Sequence, residues 1–343
     1  MNELLTAEFE QSASVIRKLD TASVVKVADA ITSSLKKGGK AIFMGNGGSA
    51  ADAQHIAAEL SGRYLMDRPA MAGMALSNVV PITAIGNDYG YEFVFKRQIE
   101  SICNENDIVI GLSTSGNSEN VILAIDAAKA IGATTVSFTG NGGKLKDIVD
   151  IPVIIDSNET PRIQEGYFVA CHAICGMVER NMYGPKAVFI DRDDTIYDDV
   201  GYCSKADDFN VFDYVPKSIA KLNEAGYLVI VITNQSGINR GYFDLDTLNG
   251  IHDKMIKQIS AGGGKIDDIF FCPHHPDENC SCRKPEIGMG LDAVKKYKIN
   301  LRESYMIGDS DRDMGFGERL GCKTIKVTDD FTFKDAVNQI LSS

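Results

Sequence analysis

The sequence predicts an α/β protein of two doubly wound parallel-sheet domains, one in residues 1–184 and the other in residues 185–343. Three observations carry that expectation. Short apolar runs of strand length alternate with longer amphipathic stretches, the pattern of parallel sheets covered by helices on both faces. A chain of 343 residues exceeds one compact core, and about 150 residues per domain gives roughly two. Gly184 and Pro185 end a long helical stretch just before a new strand.

The elements follow in order. Residues 2–37 read as helical. Strands are expected at Ala41–Met44, Ile108–Leu112, Thr134–Phe138 and Ile151–Ile155, with helices at Ser49–Leu60, Glu119–Ile131 and Arg162–Met182. The second series of strands is Ala187–Ile190, Leu228–Thr233, Ile269–Cys272, Tyr305–Ile307 and Thr324–Val327, again with helices between. No long linker, repeat or low-complexity segment separates the halves, so they are expected to adjoin directly.

Composition narrows the class. With 44% hydrophobic residues, 24% charged residues and no Trp, disorder, collagen and coiled coil are excluded. A net charge of −12 argues against nucleic acid and anionic membranes as partners, because the long-range field repels both. No apolar run approaches about 18 residues. The start, MNELLTAEFEQ, lacks the basic and apolar segments of a signal peptide. Three of the eight Cys crowd into one loop and the rest are scattered, which suggests a metal site plus buried thiols in a cytoplasmic protein.

In the first half, AIFMGNGGSAADAQH runs from a strand through glycines into a helix. Gly45, Gly47 and Gly48 permit close backbone approach, and Ser49 with Asp52 reads as a capping-box-like start whose free N–H groups favour an anion. The second loop, DIVIGLSTSGNSENV, presents Ser113, Thr114, Ser115 and Ser118 together. Hydroxyls and helix-terminal N–H groups bind phosphate without net positive charge. His55 and Glu59, four apart, share a helix face. Gln164 and His172, eight apart, lie roughly 80° from each other around the last helix, whose first turn suits Pro161. Such a set can hold zinc or work as an acid–base pair on a sugar.

The segments GNGGSAADAQHIAAELSGRY, AIGNDYG, GLSTSGNSENV and TPRIQEGYFVACH resemble the sedoheptulose 7-phosphate isomerases, which have the sugar isomerase (SIS) fold. The resemblance covers essentially residues 1–184. It implies that His55, Glu59, Gln164 and His172 hold zinc, with Glu59 as base and His172 as acid. It also makes Asn46, Gly47, Gly48, Asn87, Asp88, Ser113, Thr114, Ser115 and Ser118 substrate contacts, joined by Glu59 and Gln164. Pro161 stands where some relatives carry Asp, so no catalytic part of that Asp transfers. Moving a proton between C1 and C2 through an enediol needs a base, an acid and a stabiliser of negative charge, and those residue types supply them.

In the second half, AVFIDRDDTIY ends a strand with Asp191 and Asp193, and Arg192 between them is expected to point away. Thr233 ends another strand in VIVITNQSG, Lys284 lies in CRKP, and YMIGDSDRD ends a third strand with Asp309, followed by Asp313. Carboxylates, a hydroxyl and an ammonium at successive strand ends suit Mg²⁺-dependent phosphoryl transfer. In CPHHPDENCSCRKP, Cys272, His274, Cys280 and Cys282 form a Cys₃His set for a structural zinc ion, which pins the loop carrying Arg283 and Lys284. His275 is not expected to be a ligand.

This half resembles the haloacid dehalogenase-like phosphatases. The resemblance implies a Rossmannoid fold, Asp191 as nucleophile and Asp193 as acid and base. Mg²⁺ would be held by Asp191, Asp193 (through its carbonyl) and Asp309, with Thr233 and Lys284 on the phosphoryl oxygens. Among such phosphatases, DDVGYCSKADDF and TNQSGINRGYF are more similar to the D-glycero-D-manno-heptose 1,7-bisphosphate 7-phosphatases than to the histidinol-phosphate phosphatases. Asp199, Gly201, Tyr202, Asn234, Gln235, Ser236, Arg283 and Lys284 then match substrate contacts. Asp194 replaces a common Gly, and Ser310 replaces a Lys of some heptose phosphatases.

Together the resemblances imply a bifunctional enzyme acting on seven-carbon sugar phosphates, on the route to nucleotide-activated heptose for lipopolysaccharide or another surface glycan. A kinase step separates the two reactions. Two alternatives stay open: a phosphatase of other specificity, and a sugar-phosphate-sensing SIS module, against which stand the absence of a helix-turn-helix segment and of a basic patch. The first resemblance also implies a homotetramer through the N-terminal domain, for which Leu4–Leu19 and Val24–Leu35 offer apolar faces.

Overall fold

The computed structural model describes residues 1–198 and 201–342. The chain divides into two compact units, Met1–Met182 and Tyr183–Ser343. In the first, two helices, α1 (Asn2–Arg17) and α2 (Thr21–Lys36), precede β1 (Ala41–Gly45) and α3 (Gly48–Ser61). Then come β2 (Gly73–Ala75), α4 (Val79–Tyr89), α5 (Lys96–Ile102), β3 (Ile108–Leu112), α6 (Glu119–Ile131), β4 (Thr134–Thr139), α7 (Leu145–Ile148), β5 (Ile151–Ile154) and α8 (Thr160–Tyr183). The sheet order is β2-β1-β3-β4-β5 and all pairs are parallel.

Burial on both faces explains the continuous apolar strands. Successive residues point to opposite sides, so Phe43, Ile110 and Phe138 pack with Ile31 and Tyr167, while Ile42 and Val109 pack with Val121 and Ile125 on the other side. Each such fully buried side chain contributes roughly 1.5–3 kcal/mol. Strand β2 and helices α4, α5 and α7 were not expected from periodicity. Strand β2 has only three residues, one of them Gly73, and α4 carries Pro81 and buries no residue.

The second unit contains β6 (Ala187–Ile190), α9 (Val215–Glu224), β7 (Leu228–Asn234), α10 (Leu245–Ala261), β8 (Asp268–Cys272), α11 (Gly288–Tyr297), β9 (Tyr305–Gly308), α12 (Asp311–Leu320), β10 (Lys323–Lys326) and α13 (Phe333–Ser342). Its parallel sheet runs β10-β9-β6-β7-β8. Val188, Ile190, Val231 and Ile307 face one core, and Phe189, Ile230, Ile232 and Met306 the other. Strand β6 lies between β9 and β7, so chain leaving the carboxyl ends of all three meets in one crevice.

Candidate active sites

In the first unit, β1 passes through Gly47, at φ +55°, into α3. The expected capping box is absent. Gly47 is the N-cap without a side-chain bond, and the Ser49 hydroxyl instead meets the Tyr167 Oη at 2.8 Å. Tyr167 in turn donates to Asp52 Oδ2 at 3.2 Å. Burial raises the pKa of Asp52, the Tyr167 hydrogen bond opposing it. The fully buried Tyr167 polar tip thus draws both supposed cap residues inward.

His55 and Glu59 meet on one face of α3, Nε2 to Oε1 at 3.1 Å. His172 of α8 brings its Nε2 to 3.3 Å from that of His55. One ligand atom from each of the three lies within 4.8 Å of the others. Two imidazole nitrogens and a carboxylate oxygen converging on one point make a donor set suited to zinc. Burial lowers the pKa of His172, neighbouring His55 lowers it further, and Glu59 opposes both. Gln164 packs its amide nitrogen against Gly48, where a Cβ would otherwise stand, and bears on the Tyr167 hydroxyl.

The loops after β1 and β3 are joined by side chains. Asn46 and Asn120 exchange amide hydrogen bonds at 2.9 and 2.8 Å, and Tyr91 Oη donates to Asn46 Oδ1 at 3.0 Å. Ser113 and Ser118 hydroxyls meet at 2.9 Å, and the Asn117 N–H donates to Ser115 Oγ at 3.2 Å. Thr114 is half-buried between them. Asn87 and Asp88 sit exposed near the end of α4, bonded to each other at 2.9 Å. Tyr167, Asn120 and Tyr91 carried no sequence signal, since their contacts are long-range.

In the second unit, Asp191 follows β6, and its N–H donates to Ile307 O at 2.9 Å. Lys284, 3% exposed, places Nζ 2.7 Å from Asp191 Oδ1 and 2.5 Å from Asp313 Oδ1. Burial raises the Asp191 pKa, against Lys284 and with help from Asp313 and Asp193. Burial works against the Lys284 ammonium, but Asp191 and Asp313 outweigh it and leave its pKa raised. Asp191, Asp309 and Asp313 cluster within 4.8 Å. Three carboxylates face one ammonium, and the surplus negative charge suits a hard divalent cation. Asp313 thus joins Asp191 and Asp309, beyond the ligands expected. Ser310 secures it, donating to Asp313 Oδ2 from N–H and hydroxyl at 3.0 and 2.6 Å.

Arg192 does not point away. It is 1% exposed and curls back, with Nε 2.9 Å and Nη2 2.8 Å from Asp193 Oδ1. The other oxygen of Asp193 accepts from Gln235 Nε2 at 2.8 Å and Thr233 Oγ1 at 3.3 Å. Thr233 is fully buried behind Asp193. A cavity of about 340 Å³ is lined by Asp191, Asp193, Gly201, Tyr202, Asn234, Gln235, Ser236, Arg283, Lys284 and Asp309, together with Arg312, which sequence reading missed. Asn234 also clamps the Lys284 backbone at 3.2 and 3.0 Å. Asp199 lies outside the described residues.

Cys272, His274, Cys280 and Cys282 converge, with sulfur and Nδ1 atoms 3.2–3.5 Å apart. Tetrahedral zinc with bonds of about 2.3 Å separates thiolates by about 3.8 Å, so a slight expansion accommodates it. His275 instead caps the short turn Pro276–Glu278.

Comparison with known proteins gives matches in both halves. The family model described as SIS domain matches residues 6–140, and one described as HAD-hydrolase-like matches residues 281–341. The chain is 47% identical over 185 residues to the phosphoheptose isomerase of Burkholderia pseudomallei, covering 53% of this chain and 94% of that protein. The phosphoheptose isomerase structure from Francisella tularensis is similar at 32% identity and TM-score 0.49, covering 52% of this chain and 95% of that one. The D,D-heptose 1,7-bisphosphate phosphatase structure from B. bronchiseptica is similar at 32% identity and TM-score 0.43, covering 46% and 98%.

Proposed function

The chain belongs to the phosphoheptose isomerase family, and from that premise we propose a bifunctional enzyme of heptose metabolism. Residues 1–184 interconvert sedoheptulose 7-phosphate and D-glycero-D-manno-heptose 7-phosphate. Residues 185–343 remove the 7-phosphate of D-glycero-D-manno-heptose 1,7-bisphosphate.

The observation that carries the first activity is the convergence of His55, Glu59 and His172. Glu59 takes the proton from C1 and returns it at C2, while His172 gives a proton to O2 and takes one from O1. Zinc held by His55, Glu59 and His172, with Gln164 as the further ligand that the family resemblance implies, would supply Lewis acidity at the sugar oxygens. The hydroxyls of Ser113, Thr114, Ser115 and Ser118 and the amides around Asn46, Gly47 and Gly48 receive the phosphate and sugar. Asn87 and Asp88 complete the substrate contacts.

For the second activity, Asp191 attacks phosphorus as the P–O7 bond breaks, and Asp193 gives its proton to the leaving oxygen. Asp193 then takes a proton from water, whose oxygen displaces the aspartate and frees phosphate. Thr233 acts through Asp193, and Lys284 balances the charge of Asp191. Mg²⁺ held by Asp191, Asp309 and the Asp193 carbonyl, with Asp313 adjacent, neutralises charge on the phosphoryl group when bound. Two arginines support a bisphosphate substrate. Arg312 has no ion-pair or hydrogen-bond partner among the described residues, and Arg283 only a 3.5 Å contact to His274 O. Both line the cavity, available to a second phosphate. Turnover of heptose 1,7-bisphosphate against histidinol phosphate tests this: a preference for the latter contradicts it.

No helix among the described residues is long and apolar enough to cross a membrane. All eight cysteines are unpaired, which supports a reducing, cytoplasmic setting. A homotetramer through the first half is supported by the exposed Leu4, Leu5 and Phe9 of α1 and Val79 and Val80 of α4. Light scattering that gives a fully active monomer contradicts it.

A further inference from the structure

Helix α8 carries a buried carboxylate two turns beyond His172. Glu179 is 0% exposed, and its carboxylate accepts from four donors. These are the backbone N–H groups of Tyr64 at 2.8 Å, Leu65 at 2.9 Å and Met66 at 3.0 Å, and Arg68 Nε at 3.1 Å. Arg68 turns its remaining nitrogens on the end of α3. Nη2 donates to Glu59 O at 2.7 Å, and Nη1 to Leu60 O at 2.7 Å and Gly62 O at 2.9 Å. A buried charge pair satisfied this fully specifies one geometry, and here it ties the chain after α3 to α8.

Tyr64 is the residue that this clasp presents to the site. Its ring stacks on His172, with centroids 5.4 Å apart and planes 12° from parallel. Phe168, one turn earlier on α8, meets the same imidazole edge-on at 4.5 Å and 71°. Gly176, one turn later, leaves room for the tyrosine ring, since a Cβ there would stand 3.3 Å from Tyr64 Cε1. The Tyr64 hydroxyl has no hydrogen bond among the described residues. The aromatic face makes the contact.

We infer that Tyr64, held by the Arg68–Glu179 clasp, is a positioning residue for His172, fixing the imidazole plane so that Nε2 meets His55 and Glu59. The inference rests on the isomerase reading of that site. Ligand-orienting neighbours of metal sites commonly change metal affinity or activity by about 10–100-fold when replaced.

The test uses the full chain and its Y64F, Y64L and G176A variants. Zinc affinity is measured by chelator competition, and kcat and KM are measured with sedoheptulose 7-phosphate. Y64F is expected within about twofold of the parent. Y64L is expected to lose about tenfold or more in zinc affinity and in kcat, with KM nearly unchanged. G176A crowds the ring and favours the helix, so it is expected to weaken zinc binding without lowering the unfolding temperature. Should Y64L not fold, unchanged zinc affinity in G176A alone overturns the proposal. A Y64L defect confined to KM overturns it by making Tyr64 a substrate contact, and a Y64F defect equal to that of Y64L overturns it by implicating the hydroxyl. A parent chain without isomerase turnover contradicts the functional reading instead, while the zinc measurements still judge the positioning.

Discussion

Lys284 holds Asp191: the buried ammonium lies 2.7 Å from the carboxylate and reaches Asp313 at 2.5 Å with the same nitrogen. Removing one partner of a buried ion pair costs about 3–5 kcal/mol, because the remaining charge stays unpaired. Lys284→Met is therefore expected to lower phosphatase kcat by about 100-fold or more and to destabilise the second unit by about that energy. Steady-state kinetics and denaturant unfolding measure both, and isomerase kcat should hold.

Arg312 offers an uncommitted positive charge at the phosphatase cavity. Arg312→Ala is expected to raise KM for heptose 1,7-bisphosphate by about tenfold, since a charge-assisted hydrogen bond contributes about 1.5–3 kcal/mol. Hydrolysis of a simple aryl monophosphate should change little. Equal loss on both esters would place Arg312 at the transferred phosphate.

The Cys₃His set sits just before Arg283 and Lys284 in the chain. Cys282→Ser is expected to remove about one zinc per chain and most phosphatase activity, leaving isomerase activity in place. Metal analysis beside both assays checks this.

His252 is buried in α10, with Nε2 unpartnered. Burial, then the nearby Arg192 charge, lower its pKa to about 4, with Asp193 opposing. The folded protein therefore binds fewer protons than the unfolded chain between about pH 4 and 6.5. Stability is present above about 6.5 and falls as pH drops towards 4, by on the order of 3 kcal/mol. His252→Leu should flatten that slope in thermal unfolding of the second unit followed across this range.

Much of the site was legible because parallel strands buried on both faces leave unbroken apolar runs, so the polar residues ending them stand out. Asp191, Thr233 and Asp309 are of this kind, and the thiol loop was marked by its spacing. What stayed hidden depends on contacts between distant residues. Ser49 reads as a cap until Tyr167, 118 residues later, takes its hydroxyl. Strand alternation points Arg192 away from its neighbouring aspartates, yet its long side chain folds back onto Asp193. Asp313 joins the carboxylate cluster only because α12 begins at once after β9. Tyr64 and Arg68 are tied to the site only by long-range contacts, whereas Glu179, a charge on an otherwise buried face of α8, is a usable signal.

The most direct test of two independent active centres is to assay the full chain, E59Q and D191N on both sedoheptulose 7-phosphate and D-glycero-D-manno-heptose 1,7-bisphosphate. E59Q is expected to abolish isomerisation and keep phosphate release, and D191N the reverse. A parent chain inert towards both sugars, or E59Q with full isomerase turnover, would contradict the account.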